Sequence, residues 1–230
     1  LELLVEDLKS RPLNREPIPH EPHQFGSRRV RKEFAVPYSK LHLAWRLPCS
    51  AHPDTPALSA LSSILGGGRS ARFYEKFHDR LGLVYSIEVH SNQSETDEGA
   101  FTISMDVDRA QRDKVRDLVL QELRNLAEED FTEDLKRVCK QTRVSRLRRR
   151  SSASGVASEM GADWFGSRNL NLSSEWQEAI ERVTTEDLHR VCSTWLSSPN
   201  VTEVSLDPPG SNAGDEERAS ASAGTALSEH

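Results

Sequence analysis

Eight histidines, three cysteines and one dense run of arginine set the chemistry open to this 230-residue chain. His20 and His23 stand three apart in HEPH, a spacing that would put two imidazole ligands on one helix face. Pro22 lies between them, and a proline-bearing stretch cannot present helical ligand geometry, so the pair reads as solvent-exposed linker histidines. Cys49, Cys139 and Cys192 are too scattered for a CxxC metal site or a disulfide framework. Gly66-Gly67-Gly68 follows a helical pattern rather than a strand and lacks the GxxxxGK-Ser/Thr spacing of a phosphate cradle. It reads instead as a hinge between helices or a tight turn against a sheet. Lys136 to Arg150 holds eight basic residues in fifteen and could grip an acidic partner, RNA or an anionic membrane. Leu135, Val138, Thr142 and Ser145 still trace a modest inward stripe there, so a solvated face of a long helix is the simpler reading.

Charge and composition narrow the classes further. The net charge is −6, of which residues 209–230 supply −3, so the rest of the chain is close to neutral. That balance argues against a nucleic-acid partner. No window holds eighteen consecutive apolar residues, so no transmembrane helix and no membrane partner are expected, and the reading is of a soluble domain with its compartment left open. At 36% hydrophobic residues the chain can build one ordinary core. Collagen-like, disulfide-scaffold and wholly disordered classes are excluded. The chain starts at Leu1 without a signal pattern, which suggests a fragment or a processed product.

These residues need elements to position them. Residues 1–25 read as a short helix, with Leu4, Val5 and Leu8 at helical spacing, and a linker rich in proline (Pro12, Pro17, Pro19, Pro22) that implies a partner on its other side. A domain over 26–208 follows. Strands are expected at Arg28–Phe34 and Leu41–Leu47, the second with Leu41, Leu43, Trp45 and Leu47 on one face. Asp54 can cap a helix with Pro56 in its first turn and Leu58, Leu61, Ile64 and Leu65 as its stripe. A second helix runs from about Ala71 to Arg80. Tyr85, Ile87 and Val89 then alternate as a strand, as do Phe101, Ile103, Met105 and Val107, with a hairpin loop between. Four helical patterns follow, carried by Val115 to Leu126, a long basic helix from Thr132, a helix with Trp176 and Ile180, and one with Leu188 and Val191. A strand over Val201–Leu206 closes the domain, and 209–230 is a low-complexity tail expected to be disordered. The sum is an α+β layer, an antiparallel β-sheet covered by helices on one face.

The run ILGGGRSARFYEKFHDRLGLVYS (Ile64 to Ser86) resembles the signature of the C-terminal-type domain of the M16 zinc peptidases, the insulinase, pitrilysin and mitochondrial processing peptidase family. EPHQFGSRRV (Glu21 to Val30) resembles the opening of such a domain, and EWQEAIERVTTEDLHRVCSTWLSSPN (Glu175 to Asn200) its closing helices. The resemblance implies a metallohydrolase-type α+β layer and one half of a clamshell around a peptide. It implies that the zinc sits in a homologous partner domain, upstream on the same chain or on a separate subunit, held by HxxEH and a downstream Glu. None of the eight histidines here begins an HxxEH, so this chain is expected to hold no metal or cofactor and to be inactive alone.

In the zinc-free domain of that family an Arg and a Tyr seven residues apart reach toward the partner's site, holding substrate and stabilising the developing oxyanion. Tyr85 matches the tyrosine, and His78 stands where the arginine would be. Histidine is shorter and cannot make a bidentate fork. Arg72 falls at a structural position of the motif, and Arg80 is about half a helical turn out of place. Tyr85 is therefore either a substrate-binding phenol or a core aromatic in register with Ile87 and Val89, and His78 either a substrate contact or a partly buried structural residue. Trp164 and Phe165 could close over a chamber or pack in the core. The implied function is a non-catalytic, substrate-binding and chamber-closing domain of an M16-type metalloendopeptidase. The alternatives are an M16-like scaffolding subunit and, from the arginine-rich helix, a polyanion binder.

Overall fold

In the computed structural model, the residues described are 22, 24–93, 98–197 and 199–209. The short helix, most of the linker and nearly all of the C-terminal tail expected from the sequence lie outside them, as do His20 and His23.

Strict alternation makes Ser39–Leu47 the central strand (β2; β1 is Arg28–Glu33). Leu41, Leu43, Trp45 and Leu47 are buried on one face, while Lys40, His42, Ala44 and Arg46 occupy the other. Gly99–Val107 (β4) alternates in the same way and pairs antiparallel with β2 from Ser39↔Val107 to Leu47↔Gly99. Val84–Asn92 (β3) pairs antiparallel with β4 at one edge. Thr202–Asp207 (β5) pairs antiparallel with the other side of β2. The order is β1-β5-β2-β4-β3. One expectation is corrected: the sheet is mixed, because β1 runs parallel to β5 in the register Arg28↔Thr202 to Glu33↔Asp207. The α+β architecture itself holds.

Helices cover one face only. Thr55–Gly66 (α1) presses Leu58, Leu61, Ile64 and Leu65 onto the sheet. The second helix, expected from about Ala71 to Arg80, is a π-helix at Tyr74–Arg80 and buries Phe77 in edge-on contact with Phe73. After β4 come α2 (Arg112–Asn125), α3 (Thr132–Arg149), α4 (Ala153–Ser167), α5 (Leu172–Glu181) and α6 (Thr185–Val191). The sequence pattern had not separated α4 as a helix of its own. Along α3, Leu135 and Val138 are buried, but Ser145 is exposed and the second half of the helix leaves the core. Trp164 and Phe165 on α4 are exposed, which rules out core packing for Phe165.

The glycine triplet is a tight turn against the sheet. A Cβ on Gly66 would meet the Val89 backbone nitrogen at 2.6 Å, so α1 ends in close contact with β3. Asp54 sits at the start of α1 but does not cap it through its side chain. Its carboxylate instead accepts from Trp195 Nε1 at 2.9 Å and pairs with Arg190, tying α1 to the C-terminal helices. Burial works to raise its pKa, but these two donors outweigh it and hold the carboxyl below its usual range.

Candidate functional site

Among the described residues, no helix covers the other face of the sheet, and Pro22 reaches it only at one end, where its carbonyl accepts from Arg46. This face carries Lys40 paired with Asp106 at 2.9 Å and His42 bonded to Ser104 Oγ at 2.7 Å. Burial pushes the His42 pKa down, favouring the neutral ring. At one end of this face lies a cavity of about 430 Å³ lined by Gln24, Ala44, Arg46, Asn92, Glu98 and Thr202. At the other end stand two tyrosines. Arg46 lies six positions beyond Lys40 along β2, about 20 Å at strand rise.

Tyr85 reaches this end through a break in the pleat. The β3–β4 ladder pairs Val84↔Val107 and then Ser86↔Asp106, so Tyr85 is the extra residue of a bulge. Val84 takes the inward place that strict alternation gave to Tyr85, alongside Ile87 and Val89. Tyr85 is 53% exposed, which removes the core-aromatic reading. Its ring lies 4.1 Å, centroid to centroid, from that of Tyr38, with 33° between the planes. The sequence reading did not single out Tyr38. Its position beside Tyr85 follows from tertiary pairing, and only the register of β2, β4 and β3 brings the two together.

His78 is held on its own helix. Its ring stacks on Tyr74 at 4.4 Å and 21°. Nδ1 lies 2.7 Å from the Asp79 carboxylate and Nε2 3.5 Å from the Tyr74 hydroxyl. A carboxylate only accepts, so Nδ1 carries the proton, and in the neutral ring Nε2 accepts from Tyr74. Among the described residues, the ring and hydrogen-bond contacts of His78 and of Tyr85 run to different partners. The structure therefore does not join the two candidate residues by contact. The neighbouring arginines are engaged as well. Arg72 binds Asp134 and Glu129, each at 2.6 Å, and lies over the Phe131 ring, fastening the segment just before the π-helix to the start of α3. Arg80 pairs with Glu75.

The family profile described as the peptidase M16 inactive domain matches residues 2–141. The chain belongs to this family. A zinc protease, PqqE, of Helicobacter pylori is 24% identical to it over 88% of this chain and 46% of that protein. The crystal structure of a protease from Helicobacter pylori superposes with a TM-score of 0.77 at 24% identity, over 90% of this chain and 51% of the other. A peptidase M16 inactive domain from Pseudomonas fluorescens gives 0.72 at 19% identity, over 84% of this chain and 46% of its own. The chain thus spans about half the length of the relatives it matches. These likenesses show the fold.

An inactive M16 domain needs no metal ligands of its own. Among the described residues no group of three or more His, Cys, Asp or Glu is placed to hold a metal ion. No helix among them is long and apolar enough to cross a membrane. The arrangement offers a polar sheet face, an exposed phenol at one end and a cavity at the other.

Proposed function

We propose that this inactive M16 domain is the substrate-binding, chamber-closing wall of a zinc metalloendopeptidase whose zinc-carrying homologous domain lies elsewhere, upstream on the natural chain or on a separate subunit. The observation that carries the reading is the bulge that turns Tyr85 out of the core at the end of the polar sheet face away from the helices. A phenol O–H there is a donor for a substrate carbonyl and for the negative charge that grows on it. From Lys40 to Arg46, which is itself bonded to the Pro22 carbonyl and to Glu98, the face measures the length of about six residues of extended peptide. The zinc would be supplied by the partner domain. With both ring nitrogens engaged on the π-helix, His78 takes part by shaping that helix rather than by forking onto substrate as an arginine would.

The test is reconstitution. The chain is mixed with the HxxEH-bearing domain encoded with it and assayed on a fluorogenic peptide. Hydrolysis is expected from the mixture and from neither part alone, and Tyr85→Phe is expected to lower kcat about 100-fold, the worth of one oxyanion donor. The engagement of His78 gives a scaffolding reading its one support. Unchanged turnover in Tyr85→Phe would select that reading, and absence of any activity in the mixture would refute the proteolytic one.

A further inference from the structure

Tyr85 sits in an unusual mechanical position. The bulge leaves it without a ladder partner, and more than half of its surface faces solvent. Among the described residues its side chain makes no hydrogen bond, and the ring of Tyr38 is its one ring contact. A phenol so placed would sample several rotamers, and a donor that wanders loses most of its value as a binding group. The ring of Tyr38 is also exposed, at 42%, but the backbone that carries it is held on both sides. Pro37 precedes it, with its own φ fixed near −65° by the ring. Ser39 follows it, is fully buried, and donates through Oγ to Asp207 at 2.6 Å. Asp207 is in turn paired with the buried Arg112 of α2.

From this geometry we infer that Tyr38 is a positioning residue for Tyr85: its ring, carried on a backbone held by Pro37 and Ser39, packs against the Tyr85 ring and fixes the direction of the Tyr85 phenol on the sheet face away from the helices. The inference rests on the substrate-wall reading for its consequence but not for its geometry. The other stacked pair, Tyr74 and His78, offers no such support, since its polar atoms are engaged with each other and with Asp79. An offset, tilted aromatic contact of this kind needs the ring of Tyr38 and not its hydroxyl. Phenylalanine should therefore replace it, and leucine should not.

The chain contains three tyrosines, so each ring can be assigned by NMR through single Tyr→Phe substitutions. In the wild-type chain the Tyr85 ring protons are expected upfield of free tyrosine, because they lie over the Tyr38 ring. Tyr38→Phe should keep that shift and Tyr38→Leu abolish it, with the amide spectrum of each variant reporting that the fold is intact. An acetylated decapeptide of alanine and glutamine with one central phenylalanine serves as the binding probe. Its affinity should be unchanged in Tyr38→Phe and about 3- to 10-fold weaker in Tyr38→Leu, the range for releasing one immobilised side chain. Tyr85 shifts that persist in Tyr38→Leu would overturn the inference. So would weaker binding in Tyr38→Leu with those shifts intact, because Tyr38 would then act on the peptide directly. A wild-type chain that does not bind the probe would refute the substrate-wall reading instead, and the ring shifts alone would still decide whether Tyr38 positions Tyr85.

Discussion

Removing the Asp207 carboxylate tests how the start of β2 is held to β5 and the helix layer. β5 turns Glu203, Ser205 and Asp207, rather than apolar side chains, toward the helices, and all three are buried. Asp207 accepts from Ser39 at 2.6 Å and pairs with Arg112, whose side chain is only 5% exposed. In Asp207→Ala, Arg112 keeps Asp113 at 3.2 Å, so the penalty for stranding the guanidinium falls below the ~3–5 kcal/mol of a fully unpaired buried charge, to about 2 kcal/mol. The unpartnered Ser39 hydroxyl adds about 1 kcal/mol. A total near 3 kcal/mol lowers the melting temperature of a domain this size by about 6–12 °C. Urea unfolding followed by circular dichroism measures the loss directly. Adding Arg112→Met to Asp207→Ala removes the stranded charge and is expected to restore part of the stability. A single-variant loss under about 1 kcal/mol, or a double variant less stable than Asp207→Ala, would refute this account of the network.

Three other perturbations follow from the packing and titration. Gly66→Ala forces a Cβ against the Val89 backbone and should cost about 1–3 kcal/mol in thermal unfolding, whereas Gly161→Ala on α4, where the same Cβ meets nothing within 4 Å, should not destabilise. His42 has a pKa lowered by burial from its ordinary value of 6.5. Between that value and the folded one, the unfolded chain binds the proton that the folded ring resists, so stability falls as pH drops below 6.5 and is unaffected by this group above it. The drop in urea midpoint from pH 7 to 5.5 should therefore be smaller in His42→Gln than in wild type. Trp195→Phe removes the Nε1 donor to Asp54 and should cost about 1–2 kcal/mol. Because the Asp54 pKa is depressed in the fold, its stabilisation is present above about 3.8 and lost as pH falls, and acid unfolding of Trp195→Phe should begin at higher pH than in wild type.

The strands β2 and β4 were legible because each buries one face, and a period of two survives wherever pairing is regular. Tyr85 was misplaced by that same rule. A bulge inserts one residue and reverses the faces of everything before it, and nothing in the Val84–Val89 sequence announces where. The parallel pairing of β1 was hidden for a similar reason, since periodicity says which face is buried and not which way a neighbour runs. Helix α4 escaped detection because its buried residues are polar. Asp163 accepts from the backbone and hydroxyl of Ser173, and Glu159 binds Arg146 and Arg150, so no apolar stripe marks the helix. Asp54 looked like a cap from position alone, but its carboxylate has stronger donors 136 and 141 residues away, in Arg190 and Trp195. The signature around Ile64–Ser86 was legible as a family pattern, whereas the Tyr38–Tyr85 contact depends on two strand registers at once.

Those registers link the buried Asp207–Arg112 pair to the exposed tyrosines. Neighbouring residues near a strand point to opposite faces, so fixing an inward side chain also fixes the outward ones on either side of it. Ser39 is the inward residue here, and Tyr38 and Lys40 are its neighbours. The Asp207–Arg112 pair beneath Ser39 therefore holds the start of β2 against rotation from below, on the side away from solvent. This coupling means that Asp207→Ala should do more than destabilise: at temperatures where the variant is still fully folded, it should move the Tyr85 ring signals toward those of free tyrosine. A variant that loses stability while those signals stay in place would show that the buried ionic network and the tyrosine pair are independent.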